Sequence, residues 1–361
     1  MGLQEASAGD EHVSINVLAI PKVEMHLHLE GAIRPDTYVE LRRNDEPSYR
    51  LDQSPWHDKR YRFQGLSHFL DTASPCVTKS AETYRRIARE LFEDLRAQNV
   101  IYVEVTVASH RVPISEVAHA ISEAWREAVP DGDLEFGILV GLFRSDLADT
   151  VQGFVRQAID AKEYGVVGVD LLEHETAGAA SVFTKAFETA REAGLGLRAH
   201  AGEGAGPESV WEAIRCLGVS RVAHGTRATE DLELARYLAE HVITLDMCPT
   251  SNYRLSVVDS IQAHPVRRLF DAGVKVTVSS DDPLFFNSDL TEELAMLQEV
   301  FAFTADEMLQ LARNGIDAAF LPGEKKGHLH GLLAERYRAK RPTAVRPTTP
   351  DAGPAAKRHD T

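Results

Sequence analysis

Eight short runs with strand-like patterns, most of them apolar, alternate with helical patterns along most of this chain. The first run contains His26 and His28, and the others are 100–107, 136–143, 166–172, 195–200, 221–224, 242–246 and 274–279. Apolar strands that alternate with helices are typical of parallel sheets. Eight such units predict a closed (β/α)8 TIM barrel with additional helices. The alternative is a doubly wound sheet, but no G-x-G-x-x-G phosphate loop follows the first strand.

The chain length agrees with this prediction. Barrels of this type run from ~250 to beyond ~400 residues, and the chain has 361. Residues 1–12 are polar and acidic, and residues 341–361 contain four prolines among polar residues. Both segments are therefore predicted to be disordered. The barrel domain is predicted to span residues 13–340, with helices at 290–320 and 325–340 beyond the last strand.

The formal net charge of −16 makes a nucleic-acid or anionic-membrane partner improbable, because both attract basic surfaces. No run approaches the ~20 apolar residues of a membrane helix, and the first residues lack a signal-peptide pattern. Cys76, Cys216 and Cys248 form no CxxC pair or disulfide framework, which fits a reducing cytoplasm. We therefore expect a cytoplasmic protein with a small-molecule substrate, as a monomer or small homo-oligomer.

The first strand contains an H-x-H pair. If it continues to Glu30, the side chains of His26, His28 and Glu30 share one face, since alternate residues of a strand point the same way. Two neutral imidazoles two residues apart can bind one metal ion. An isolated H-x-H is more often a polar patch on a half-exposed strand, so the interpretation depends on the rest of the chain.

The active site of a (β/α)8 barrel forms at the carboxyl ends of its strands. Polar residues collect at these ends: His26 and His28 at the first, Glu173 and His174 after the fourth, His200 and Glu203 at the fifth, His224 at the sixth, and Asp281 and Asp282 after the eighth. Each has an ordinary alternative; Asp282, for example, precedes Pro283 as a helix N-cap would. Together they predict a site on one rim.

Four of these residues form a metal-ligand set of three nitrogens and one oxygen. His26, His28, His200 and Asp281 suit one Zn²⁺ or a similar first-row ion per chain. A catalytic metal lowers the pKa of a water toward ~7. His224 is the best remaining candidate to orient or deprotonate that water, and Glu203 is a plausible proton shuttle to a substrate nitrogen.

Five motifs resemble those of the adenosine deaminase family of metal-dependent amidohydrolases, in the same order and at similar spacing over about residues 17–335. They are residues 21–31, His200-Ala201-Gly202-Glu203, Ala223-His224-Gly225-Thr226, Cys248-Pro249-Thr250-Ser251-Asn252 and Ser280-Asp281-Asp282-Pro283. The resemblance implies hydrolytic removal of the exocyclic amine of a 6-aminopurine, with release of ammonia. It also implies zinc on the four residues named above.

The resemblance assigns roles to individual residues. Glu203 protonates the purine N1, and His224 steers hydroxide onto the ring carbon. Asp282 meets the N7 edge of the ring, while Asp281 takes part in catalysis as well as metal binding. His28 is expected to face the substrate in addition to binding the metal.

Two departures from the family pattern concern the substrate. Glu30 stands where the family usually has Asp, which meets the ribose 5′-hydroxyl. Residues 170–175 are Asp-Leu-Leu-Glu-His-Glu, where the family usually has Asp-Leu-Ala-Gly-Asp-Glu, so Glu173 occupies the place of a glycine beside the purine N3. Glu30 and Glu173, expected to bind substrate, resemble the adenine deaminase branch. Residues 31–35 resemble the adenosine branch.

Three hypotheses follow. The first is deamination of adenosine, 2′-deoxyadenosine or a modified relative; the second is deamination of free adenine; the third is a catalytically silent relative that binds nucleosides. The small cytidine-deaminase zinc fold needs P-C-x-x-C, which is absent from this sequence.

Other polar and aromatic residues have less defined expectations. Glu104 and Arg144 are predicted to end the second and third strands, and either pair across the rim or reach substrate. Phe69 and Leu70 lie on a segment resembling the family's capping helix, where they either shield the base or pack in the core. No role is expected for four further histidines, namely His110, His119, His241 and His264.

Overall fold

The computed structural model describes residues 15–73 and 77–340. Its strands are β1 Lys22–His28, β2 Val100–Val107, β3 Glu135–Phe143, β4 Val166–Leu172, β5 Gly196–Ala201, β6 Arg221–His224, β7 Thr244–Met247 and β8 Lys275–Val278. The two segments predicted to be disordered, and Cys76, lie outside the described residues. The domain limits 13 and 340 stay a prediction.

The eight strands pair in chain order, and every pair is parallel. The barrel closes where β1 meets the residues after β8. The His28 N–H donates to the Asp281 carbonyl at 2.9 Å, and the Asp281 N–H donates to the His26 carbonyl at 3.0 Å. The predicted (β/α)8 barrel is therefore confirmed, and three of the predicted metal ligands, His26, His28 and Asp281, meet at its seam.

Helices surround the barrel and extend beyond its last strand. They are α1 Pro35–Arg43, α2 Leu66–Ala73, α3 Ala81–Ala97, α4 Ile114–Ala128, α5 Ala148–Asp160, α6 Thr184–Glu192, α7 Pro207–Glu212, α8 Leu232–Glu240, α9 Pro249–Arg254, α10 Val266–Asp271, α11 Pro283–Phe286, α12 Leu290–Phe301, α13 Ala305–Ala318 and α14 Gly323–Lys340. None of these helices, within 15–73 and 77–340, is long and apolar enough to cross a membrane.

The helix predictions are correct where the helical periodicity is long, and they fail where the chain turns or where a helix is short. In α3, the buried Ile87, Leu91 and Leu95 recur at helical spacing, and the Ser80 side chain accepts from the Thr83 N–H at 3.2 Å as an N-cap. The helix predicted at 290–320 is instead two helices, because the chain turns at Ala302 with φ +55°. The short helices α9 and α11 were not predicted, since four to six residues carry little periodicity.

The prediction that the first strand continues to Glu30 is wrong, although Glu30 and His28 line the same cavity. Strand β1 ends at His28, and residues 29–31 form a 3-10 turn. The turn brings Gly31 against Asp282: a Cβ at Gly31 would lie 1.7 Å from the Asp282 Oδ1. Only glycine fits there, and the turn rather than strand alternation directs Glu30.

The barrel interior contains buried charges below the rim. The Arg198 Nη2 donates to the Asp170 Oδ2 at 2.7 Å, and the Arg221 Nη2 donates to the Asp246 Oδ2 at 2.7 Å. Both guanidinium groups also donate to the carbonyl of Met25, the residue before His26. Strand β1 is therefore held from across the barrel by two arginines.

Glu104 belongs to this interior network, so the prediction that it ends β2 at the rim is wrong. Its carboxylate accepts from Arg221, from the Tyr102 Oη at 2.7 Å and from the Phe320 N–H at 2.9 Å. The Phe320 ring lies against Gly196, at the amino end of β5. Glu104 thus faces the opposite end of the barrel from the predicted site.

Replacing Arg221 with Met is expected to lower the free energy of unfolding by about 3–5 kcal/mol, because Glu104 and Asp246 would remain buried with less compensating charge. Denaturant unfolding measures the change. Arg60→Met is the matched control, since the side chain of Arg60 is 89% exposed and its ion pair with Asp58 is screened by solvent, so its loss should change stability little. Equal stability of the two variants would contradict the expectation.

Candidate active site

Four predicted metal ligands converge at the carboxyl ends of the strands. The His26 Nε2 lies 3.3 Å from the His28 Nε2, and the Asp281 Oδ1 lies 3.4 Å from the first and 3.3 Å from the second. A His200 ring nitrogen lies within 4.8 Å of a ring nitrogen of each histidine. Strands β1 and β5 and the segment after β8 thus supply all four.

The donor spacing fits a first-row divalent ion. Bonds of ~2.0–2.1 Å to four tetrahedral donors place neighbouring donors about 3.3 Å apart. The outer ring nitrogens have acceptors: the His26 Nδ1 lies 3.3 Å from the Asp246 carbonyl, and the His200 Nδ1 lies 3.3 Å from the Asp170 Oδ1. An Nδ1–H on each ring leaves the Nε2 lone pair for a metal.

The protonation states of the histidines agree with metal binding, which requires neutral imidazole. Burial, which disfavours the charged ring, lowers the pKa of His28 to about 3 and that of His26 well below its usual value. The Asp281 carboxylate is fixed by the Ser251 hydroxyl, which donates to its Oδ2 at 2.6 Å. The set is therefore arranged as a metal site with its ligands held in place.

Three strand ends of the site have left-handed backbone. Glu173 after β4, His224 at the end of β6 and Asp281 after β8 have φ of +78°, +64° and +65°. Such conformations cost about 1–3 kcal/mol each for residues with a Cβ, and they concentrate at functional sites. The fold therefore sustains local strain where it directs these side chains toward the rim.

Glu203 and His224 meet beside the metal ligands. The His224 Nε2 lies 3.4 Å from the Glu203 Oε1 and 4.0 Å from the Asp281 Oδ2. Burial, followed by the charges of Asp281 and Glu175, raises the pKa of Glu203 well above its usual value. Its carboxyl group therefore favours the protonated form, which can donate.

Glu175 positions Glu203 and was missed by the sequence analysis. Its carboxylate accepts from the backbone N–H of Glu203 at 2.9 Å and of Gly204 at 3.2 Å. The available signal was its position, three residues after the end of β4. Glu175 therefore supports the loop that carries Glu203, and it lies outside the described cavity lining.

Glu30 and Asp282 lie on the same side of the site. The Glu30 Oε1 accepts from the Tyr84 Oη at 2.9 Å and from the Ala108 N–H at 3.1 Å. Burial raises the pKa of Glu30 to about 7. Burial and the charge of Asp281 raise the pKa of Asp282 well above its usual value. A protonated carboxyl group at either position offers an O–H donor to a ligand.

Glu173 and Arg144 are engaged by the backbone. The Glu173 Oε2 accepts from the Ser145 N–H at 2.8 Å, at the end of β3. Arg144 donates to the carbonyls of Gly178 and His200, each at 2.8 Å. Arg144 thus supports the backbone of His200, a predicted metal ligand, and the expectation that it pairs with Glu104 across the rim is wrong.

Several of the residues described above line one cavity of about 270 Å³. Its described lining is mainly apolar and combines site residues with the inner faces of α2, α11 and nearby loops: His28, Glu30, Gly31, Tyr38, Leu66, Phe69, Leu70, Val77, Thr78, Ala108, Phe143, Leu172, Glu173, His200, Glu203, His224, Leu255, Asp281, Asp282 and Phe285. Within this described lining there are five carboxyl groups and no lysine or arginine.

Phe69 and Leu70 both line the cavity, from helix α2. Phe69 also packs on Phe63, with ring centroids 5.2 Å apart, and on Phe286, at 5.1 Å. Leu70 is 38% exposed, at the mouth. The two alternatives for Phe69 are thus compatible, since it packs in the core and faces the cavity.

The family model, the related sequences and the related structures that match this chain are purine deaminases or related amidohydrolases. The family model for adenosine deaminase matches residues 21–336. An adenine deaminase from Rhizobium leguminosarum bv. trifolii is 35% identical, over 88% of this chain and 99% of the relative. An amidohydrolase structure from Burkholderia ambifaria with bound zinc has a TM-score of 0.82 at 28% identity, covering 92% and 96% of the two chains. The Arabidopsis N6-mAMP deaminase has a TM-score of 0.79 at 25% identity, covering 88% and 99%.

Proposed function

Because the chain belongs to the adenosine deaminase family, we propose that it hydrolyses the exocyclic amine of a 6-aminopurine nucleoside, such as adenosine or 2′-deoxyadenosine, with one zinc ion. Its relatives establish a purine aminohydrolase. The observation that carries the nucleoside proposal is the cavity, which reaches from three of the four proposed metal ligands, His28, His200 and Asp281, to Leu66 and Leu70. It thus extends beyond the reacting end of a purine and leaves space for a neutral sugar.

The proposed chemistry uses residues with complementary protonation. A zinc ion bound by the four donors would supply a water of lowered pKa as the nucleophile. Protonated Glu203 donates to the purine N1, which makes the ring carbon electrophilic. Protonated Asp282 donates to N7, a ring acceptor, and His224 faces the same space. Developing negative charge on the ring is therefore met by hydrogen-bond donors.

The proton balance closes within the site. Hydroxyl adds to the ring carbon, and Asp281 accepts the proton that the water loses. That proton passes to the amine as the carbon–nitrogen bond breaks, so the amine leaves as ammonia. The hydroxyl proton of the adduct then returns to Glu203, while the proton on N1 remains in the 6-oxopurine product.

Free adenine is the second candidate substrate. The relatives at 33–35% identity are named adenine deaminase, and glutamate at positions 30 and 173 resembles that branch. The structure gives both side chains internal partners, the Tyr84 hydroxyl and the Ser145 N–H. A carboxyl group so engaged can border a free base without needing a ribose hydroxyl.

AMP is expected to be a poor substrate, although one structural neighbour is an N6-mAMP deaminase. A phosphate would enter a cavity whose described lining has five carboxyl groups and no cationic side chain. A phosphate that leaves water without a cationic side chain to pair with loses solvation that this lining does not replace. We therefore expect kcat/KM for AMP to be at least ~10²-fold below that for adenosine, measured by ammonia release.

The same assay compares adenine, adenosine and 2′-deoxyadenosine. Higher kcat/KM for adenine would support the second candidate, and inactivity on the whole panel would point to a modified purine or to the nucleoside-binding relative. Leu70→Arg, at the mouth, should raise turnover of AMP. Leu147→Arg is the control, because Leu147 is 78% exposed and lies outside the cavity lining.

The setting proposed for the protein is the cytoplasm. Cys216 and Cys248 are free thiols, which agrees with a reducing compartment. The net charge of −16 also agrees with a small-molecule substrate rather than a nucleic-acid partner.

A further inference from the structure

Two buried residues outside the cavity lining form a hydrogen-bonded chain behind His224. The Val266 N–H donates to the His264 Nδ1 at 3.3 Å. The His264 Nε2 lies 3.0 Å from the Asn252 Oδ1, and the Asn252 Nδ2 lies 3.2 Å from the His224 Nδ1. The chain begins at a backbone amide, whose direction as a donor is fixed.

The donor direction passes from one residue to the next. Because the His264 Nδ1 accepts, the single hydrogen of its neutral ring is on Nε2, which donates to the Asn252 Oδ1. Burial lowers the pKa of His264 to about 3, so the ring is neutral near pH 7. The Thr226 Oγ1 donates to the same Asn252 oxygen at 2.6 Å. The amide nitrogen of Asn252 therefore faces His224, and it also donates to the Glu203 Oε1 at 3.5 Å.

The chain fixes which nitrogen of His224 carries hydrogen. The Asn252 N–H occupies the lone pair of the His224 Nδ1, so the hydrogen of neutral His224 is on Nε2. That nitrogen faces the Glu203 Oε1 at 3.4 Å, inside the cavity. We propose that Asn252 and His264 are positioning residues that hold His224 as the Nε2–H tautomer, so that it donates a hydrogen bond into the reaction space instead of accepting a proton there.

The catalytic role of this tautomer rests on the proposed deamination, whereas the tautomer itself follows from the hydrogen bonds. It divides the work of two residues: His224 orients the nucleophile, and Asp281 is left as the base. The backbone of Asn252 has a separate role, since its carbonyl accepts from the Val257 N–H at 2.8 Å. Changing only the side-chain amide therefore leaves the end of α9 intact.

Asn252→Asp tests the inference in the zinc-loaded enzyme. A carboxylate accepts but does not donate, so His224 must place its hydrogen on Nδ1 to pair with it. We expect ¹⁵N NMR of histidine-labelled protein to show this exchange between the two ring nitrogens, with the His224 signals assigned by their loss in His224→Gln. We also expect kcat to fall by ~10²-fold or more, with KM changed less than about threefold.

Asn314→Asp is the matched control, because the Asn314 side chain is also buried and donates to a carbonyl, that of Val276, at 2.9 Å. It should lower stability while leaving the His224 tautomer and kcat unchanged. If Asn252→Asp keeps the wild-type tautomer, or lowers kcat no more than this control, the inference is overturned.

A second pair of variants decides the matter even if Asn252→Asp does not fold. His264→Leu removes the donor to Asn252 and should lower kcat about tenfold. His264→Gln supplies an amide N–H and should recover most of that loss; equal activity of the two variants would overturn the inference. Wild-type protein that deaminates no purine would refute the proposed function, while the NMR result would still decide the tautomer.

Discussion

Glu203→Gln is expected to lower kcat by ~10³-fold, with the metal retained and KM little changed. Glutamine has the shape and the hydrogen-bonding capacity of a protonated glutamate, but it has no acidic proton to give to the purine N1. The raised pKa of Glu203, caused by burial and by Asp281 and Glu175, is what makes this proton available near neutral pH. Steady-state kinetics together with metal analysis of each preparation measure the effect.

Glu293→Gln is the matched control for this substitution. Glu293 is also fully buried, and burial raises its pKa to about 7, but its carboxyl group is bound by Ser288 and Thr250 outside the cavity lining. We expect this variant to retain wild-type kcat within about threefold. If Glu203→Gln also stayed within tenfold of wild type, a different proton donor would have to be sought.

Removal of the metal is expected to abolish turnover, and addition of one equivalent of zinc per chain should restore it. The donors of His26, His28 and Asp281 lie 3.3–3.4 Å from one another, and a His200 nitrogen lies within 4.8 Å of both histidines, which predicts a single site. A metal-free site has no means of lowering the pKa of water. Asp281→Ala should remain inactive after zinc addition, with a metal content below about a tenth of wild type, since it loses both a ligand and the nearest base. Elemental analysis and ammonia release give the two readouts.

His110→Ala provides the comparison for metal binding. His110 is exposed and pairs with Asp146 at 2.8 Å, away from the four donors. We expect the His110→Ala variant to bind one zinc ion and to remain active. Wild-type protein that is fully active after exhaustive chelation, with no metal detected, would contradict the proposed site.

Much of the barrel and rim followed from the sequence because both depend on local order. Strand β4 was predicted at its observed bounds, Val166–Leu172, since a short apolar run needs only its own residues to be recognised. The clustering of the four predicted metal ligands followed from the rule that strand ends share one rim. That rule needs the order of the strands but not their contacts.

The remainder depended on contacts that sequence spacing does not encode. Glu30 was misplaced because a 3-10 turn replaces strand alternation after His28. Glu175, Asn252 and His264 act through partners 28, 28 and 12 residues away along the chain. Their residue types suit many ordinary surface or capping roles, so only the folded arrangement distinguishes them.

The two arginines inside the barrel limit how this enzyme can diverge. Arg198 and Arg221 neutralise buried carboxylates and hold the carbonyl before His26. Loss of either arginine alone would lower the free energy of unfolding by about 3–5 kcal/mol, from a total of roughly 5–15 kcal/mol. The charged interior can therefore be replaced by an apolar one only if the arginines and their carboxylate partners change together. We expect substrate preference to depend on residues of the loops above the barrel. Those residues can change one at a time while the charged interior beneath the predicted metal site stays the same.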